Sequence, residues 1–361
     1  MNAPERVLTT IDHKEPDKIP AWESAFTNNT ISKYYGIDPK KKGYKYEYEL
    51  FRRIGIDICV SAVSLFPRKM LKRGKGFIDE YGRIMRFEYY EKDGTEITGY
   101  IGGHFKSFED YESWEKPDPH LPTRLRSFEL GREIQKEMNN EIFSVPATGA
   151  LMECTWEGFG LETFSRILSK PKQAKKVFDD RGEFTLELVK ILAENDAKLV
   201  ILWDDYGFKN GLFMSPRLYR KYVFPWINRI CEAAHKRDCK ILLHSDGDLM
   251  EIFEDIVKSG ADVINPLEPT TANPEYDIFK LNEKYGDKIT FCGNVSPIML
   301  AMGKISDIER YSKKLIREIA PGGGYIFSSG HSINPAVTID RFEAMQNVRR
   351  KYGKYPIEVP D

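Results

Sequence analysis

The stretch KILLHSDGD, Lys240 to Asp248, ends an apolar run in groups that can bind a metal or move a proton. His244 and Asp246 stand two residues apart. On an extended backbone, residues i and i+2 project to the same side, so both side chains can reach one ion or one substrate atom. Gly247 lets the chain turn, and Asp248 suits the cap of a helix opening at Leu249–Met250. A second histidine, His331, follows Gly330 in SSGHSINP. Two imidazoles and one carboxylate make three protein ligands for a metal, with a position left open. No cysteine occupies these places, so the donors are nitrogen and oxygen only.

Other chemistry-bearing groups fall just after apolar runs. Glu153, Asp204 and Asp205 are candidate catalytic carboxylates, able to hold a proton near neutrality if burial raises their pKa. Neighbouring residues of a strand point to opposite sides, so at most one of Asp204 and Asp205 faces inward. Trp22, Glu23, Trp156, Asn265 and Asn294 are candidate substrate-binding groups, the two asparagines having loop-holding backbone bonds as their alternative role.

These groups need a scaffold that brings strand ends together. Eight apolar segments read as strands: 19–25, 57–63, 142–148, 198–203, 241–243, 261–267, 288–293 and 324–328. Helical patterns separate most of them, among them Pro171–Glu194, a helix opening at Ser215-Pro216 and running to about Arg237, and Thr338–Tyr352. The alternation implies a (β/α)8 TIM barrel, in which every strand's C-terminal end opens at one mouth. A doubly wound sheet is the other option, but WESAFTNN after the first strand lacks a glycine-rich phosphate turn. Residues 1–361 are expected to form one barrel domain, with 64–141 an insertion after the second strand. Within it, two alternating runs flank Asp93-Gly94, a hairpin signal, and the hairpin is expected over or beside the mouth.

The 361 residues carry 54 basic and 55 acidic side chains, a net charge of −1, which disfavours nucleic acid as a partner. No apolar run approaches the length of a membrane span. Five scattered cysteines without a CxxC pair point to a reducing, cytoplasmic setting.

The segments ERVLTTIDHKEPDKIPAWE, DEYGRI, WDDYGFKNGLFMSPRLYRKYVFPW, HSDGDL, GADVINPLEP, GNVS and APGGGYIFSSGHSINPAVTIDRFEAM, in this order, resemble the uroporphyrinogen decarboxylase superfamily, and most closely its cobalamin-dependent methyltransferase branch. The resemblance implies the same barrel. It also implies an arginine-rich porphyrin grip after the first strand in true decarboxylases, whereas Ile19–Ser32 contains neither Arg nor Lys. Zinc methyltransferases of this superfamily carry a His-x-Cys pair and a distant Cys at places held here by His244, Asp246 and His331. The harder ligands suit an oxygen atom better than a thiol. The expected function is therefore methyl transfer from a small oxygen-linked donor, an aryl methyl ether being one, to a corrinoid (cobalamin) carried by a separate partner protein. Decarboxylation in porphyrin biosynthesis and methylcobalamin:thiol methyl transfer are the alternatives.

Overall fold

The computed structural model describes residues 1–39, 43 and 45–360. Thirteen strands occur among them: β1 (Ile58–Ala62), β2 (Pro67–Met70), β3 (Gly76–Asp79), β4 (Arg83–Tyr90), β5 (Thr95–Gly103), β6 (Phe143–Gly149), β7 (Leu199–Trp203), β8 (Gly207–Phe208), β9 (Gly211–Leu212), β10 (Lys240–His244), β11 (Val263–Asn265), β12 (Thr290–Val295) and β13 (Tyr325–Ser329). The continuous apolar runs become parallel strands covered on both faces, as such runs require. Seven form one sheet in the order β1-β6-β7-β10-β11-β12-β13, following the chain.

The eighth barrel position is filled by the segment expected as the first strand, but only as a bridge. Ala21 pairs with Phe327 of β13. Phe327 N donates to Pro20 O (2.9 Å), Trp22 N to Phe327 O (3.1 Å), and Asp57 N to Ala21 O (2.8 Å). The segment thus touches both edges of the sheet and curls it into a (β/α)8 TIM barrel. Pro20 has no N–H to give a ladder, which keeps the contact short. The Asp57 carboxylate reinforces it, accepting from Ala21 N at 2.8 Å and from Arg6 Nη1 at 2.6 Å.

Trp22, Ile58, Val145, Ile201, Leu242 and Ile326 fill the barrel interior. The N-terminal helix Ala3–Ile11 joins this cluster through Ala3, Val7 and Ile11 and closes the end where the strands begin. A larger apolar shell lies between the sheet and the outer helices. Pro171–Glu194 is helical as expected. The helix expected from Ser215 to Arg237 is two, Pro216–Tyr222 and Phe224–His235, because Pro225 cannot donate into a continuous ladder.

Between β1 and β6, the strands β2 to β5 form a separate antiparallel sheet. β4 and β5 are the expected hairpin, and its turn closes with Gly94 N donating to Tyr90 O at 2.9 Å. Asp93 in that turn accepts from Thr30 N (3.2 Å), just beyond the first barrel segment, so the hairpin stands beside the mouth. The expected insertion range, 64–141, also contains the helix Pro122–Glu137, which packs on β1 and β6 as a barrel helix does. Arg124 of that helix forms a fully buried ion pair with Glu80 at the base of the insertion.

Candidate functional site

At the end of β10, His244 is nearly buried and its orientation is set by a chain of hydrogen bonds. Asn265, at the end of β11, donates through Nδ2 to Cys292 O at 3.0 Å, so its Oδ1 faces His244 Nδ1 at 2.6 Å. An amide oxygen only accepts. His244 therefore carries its proton on Nδ1 and presents the Nε2 lone pair to the mouth, the form a metal requires. Asp205 Oδ1 lies 4.0 Å from that Nε2 and accepts from Asp246 N at 2.8 Å. One ligand atom each from Asp205, His244 and Asp246 lie within 4.8 Å of one another. Asp246 Oδ1 is buried without a hydrogen-bond partner, an orphaned acceptor in this cluster. Gly247 lets the chain bend here: its φ is +92°, and a Cβ would lie 2.3 Å from the Gly207 backbone. The amide of Gly247 donates to Glu268 at 3.0 Å.

His331, expected as the third ligand, stands outside this triad. Its Nε2 is 3.4 Å from Asp246 Oδ2, while its Nδ1 accepts from Ser332 N at 2.8 Å. A ring nitrogen that accepts an N–H is unprotonated, so the neutral ring carries its proton on Nε2 and turns it toward Asp246. In this arrangement His331 turns its Nε2–H toward Asp246, beside the group formed by Asp205, His244 and Asp246.

The two aspartates after β7 part ways as strand alternation demands. Asp204 is fully buried, and its Oδ1 accepts from Met152 N (2.5 Å) and Glu153 N (3.0 Å), binding the start of helix Met152–Phe159. Burial lifts its pKa to about 7 against the pull of those two amides. Asp205 faces the mouth, raised to about 6 by burial and by the charge of Asp246. Burial also raises Asp246, with both histidines opposing. Glu153 is lifted to about 6 by burial and then by Asp205, while Arg83 and His244 pull it down.

Arg83 was not anticipated. It comes from β4 of the insertion and is held by Asp79 (2.6 Å), Glu157 (3.0 Å) and Glu153 (3.1 Å). The motif DEYGRI places Asp79 and Arg83 four residues apart around Gly82, whose φ of +84° and closeness to Phe105 admit no side chain. Glu157 sits in the same cluster, pushed to about 8 by burial and by Glu153.

Trp203 of β7 links two aromatic neighbours, the expected substrate-binding residue Trp22 at 5.9 Å and His244 at 4.6 Å between ring centres. Trp22 itself lies in the barrel core. Trp156 stacks on Phe213 (4.7 Å) and meets Tyr100 of the insertion edge-on, 5.5 Å away. Glu23 is buried and accepts from Ser329 N at 3.2 Å and from the Ser329 hydroxyl; burial raises it to about 8. Asn265 supports His244. Asn294 does not join the site, because its amide is engaged by Leu267 O (2.7 Å) and the Tyr311 hydroxyl (2.8 Å).

The family model described as uroporphyrinogen decarboxylase (URO-D) matches residues 85–352, roughly three quarters of the chain. The chain belongs to the URO-D family. Among curated relatives, the uroporphyrinogen decarboxylase of Colwellia psychrerythraea is 24% identical over 239 residues, covering 62% of this chain and 64% of that protein. That of Coxiella burnetii is 28% identical over 209 residues, 55% of each chain. The chain therefore spans between 55% and 64% of the length of these two relatives. A solved methyltransferase from Methanosarcina mazei has the same barrel fold, with a TM-score of 0.71 over 98% of this chain and 99% of that one at 16% identity. That likeness concerns the fold. Among the described residues, no helix is long and apolar enough to cross a membrane.

Proposed function

We propose that this URO-D family protein is a methyltransferase that takes methyl from an oxygen-linked donor and passes it to a corrinoid on a partner protein. The observation that carries the reading is the Asp205–His244–Asp246 triad, an oxygen and nitrogen donor set at the barrel mouth. Its fit to zinc rests on the tautomer imposed by Asn265 and on the orphaned Asp246 Oδ1. When bound, zinc would supply Lewis acidity toward the donor's oxygen, and the corrinoid would supply the nucleophile that accepts the methyl.

The chain's own residues account for the rest. The donor's carbon–oxygen bond breaks with its electron pair on oxygen, and that oxygen needs a proton. Glu153, with its pKa near 6 and Asp205 beside it, holds one within the working range and is the proposed donor. Asp204 is fully buried and its Oδ1 is engaged by the helix start, which favours Glu153 for this role. Trp203 and Trp156 offer aromatic faces suited to an aryl ether.

The names of the curated relatives favour a second reading, decarboxylation of uroporphyrinogen. The charge of the mouth opposes it. Asp205, Asp246 and Glu268 gather there, and Arg83, a cation beside them, is already shared by three carboxylates. A polycarboxylate would meet repulsion.

The test combines this protein, a reduced corrinoid protein and a panel of methoxylated aromatics. The expected result is a free phenol whose appearance requires all components, with Glu153→Gln slowing it by roughly 10²- to 10⁴-fold. Turnover of methyl thiols or amines alone would overturn the oxygen assignment. Catalytic release of carbon dioxide from uroporphyrinogen would overturn the reading itself.

A further inference from the structure

At the end of the barrel opposite the mouth, a cavity of about 300 Å³ opens beside the N-terminal plug. Its walls carry five cations, Lys18, Arg53, Arg349, Arg350 and Lys354, and no carboxylate. Arg53 and Arg350 are answered from outside the cavity by Glu49 (2.8 Å) and Glu343 (2.9 Å). The other three are not. Among the described residues, the Lys18 and Lys354 ammonium groups have no ion-pair or hydrogen-bond partner. Arg349 uses only Nε, donating to Gln346 Oε1 at 3.0 Å. Arg349 is 5% exposed, and its Nη2 stands against Gly55, 3.4 Å from where a Cβ would be. The nearest strong acid field, that of Asp57, is already taken by Arg6 and by the Ala21 amide. Burial lowers both the Arg349 and the Lys18 pKa, as expected for charges short of counter-charge.

A nearly buried guanidinium with two free nitrogens and two unpaired ammonium groups is costly unless an anion completes it. We propose that this pocket binds a small phosphate-bearing anion. Arginine's planar fork matches phosphate oxygens in pairs, and lysine adds point charge. The apolar lining is only Ile19 and Ile54, with no aromatic ring to stack on a base, so the group recognised is the phosphate itself. The volume lies at the lower end for ligand pockets, consistent with a small occupant. The walls come from three separate segments: the strand-like segment at Lys18–Ile19, the end of helix Tyr46–Ile54, and the end of helix Ile339–Tyr352. A bound anion ties these together at the point where the barrel closes. It therefore acts on stability, at a distance from the mouth chemistry.

The test is thermal unfolding of the full chain in inorganic phosphate, with chloride at equal ionic strength as the control. Phosphate at about 100 times its Kd should raise the midpoint by roughly 4 °C, in a saturable way. The double substitution Lys18→Gln/Lys354→Gln changes two side chains outside the core and should abolish most of that rise. Arg349→Gln should do the same where it folds. A rise no larger than chloride's, or one unchanged in the double variant, would overturn the site. A larger saturable rise with citrate than with phosphate would overturn the assignment of the ligand as phosphate.

Discussion

His244 and Asp246 are legible in sequence because one strand end fixes their spacing and their common side. Asp205 is only half legible: alternation says that one of two adjacent aspartates faces inward, and packing of helix Met152–Phe159 on Asp204 decides which. The orientation of His331 is not legible, because a loop residue's ring nitrogens are set by local backbone donors that spacing does not reveal. Arg83 is hidden for a different reason, since its three partners lie 4, 70 and 74 residues away. Two predictions belong to this scale. Asn265→Ala frees the His244 tautomer, and metal affinity measured by competition with a chelating dye should fall by about 10- to 100-fold. Glu23 is protonated more readily in the fold, near pH 8, than in the unfolded chain, near 4.5. Its folded form is therefore favoured at low pH, and that contribution is lost as pH rises through 8, at up to about 1.4 kcal/mol per pH unit between the two values. Glu23→Gln should flatten this fall in urea-unfolding free energies measured from pH 5 to 8, and a slope equal to the wild type's would refute the assignment.

The elements show how an insertion becomes part of a site. The Asp93-Gly94 hairpin was readable from turn chemistry, and β2 and β3 add to it the rest of an antiparallel sheet. Its attachment was not readable, because it depends on buried cations from distant helices. Arg124 holds Glu80, and Arg181 donates to Tyr81 O at 3.1 Å. Arg83 then carries the insertion's charge into the mouth. Arg83→Met leaves Asp79, Glu153 and Glu157 without their shared cation, at a cost of about 3–5 kcal/mol. Denaturant unfolding should show that loss, and the pH–rate profile governed by Glu153 should shift upward because a cation that lowers its pKa is gone. An unshifted profile would separate Arg83 from the chemistry.

For the whole molecule, the order of seven strands follows the chain, which is why apolar runs alternating with helices were enough to read the barrel. Closure was not legible, because it rests on a bridge and on Asp57 rather than on a ladder. Asp57→Ala removes acceptors for Arg6 and for the Ala21 amide together, and should cost about 3–5 kcal/mol in the unfolding free energy. A loss under about 1 kcal/mol would mean that the barrel closes without it. The donor triad stands at the barrel mouth, and the proposed chemistry requires a metal held there. The direct measurement is elemental analysis of protein purified without chelator or nickel resin, beside the Asp205→Asn and His244→Ala variants. About one zinc per wild-type chain and almost none in either variant is the expected result. Wild-type protein devoid of metal, or variants that retain a full equivalent, would contradict it.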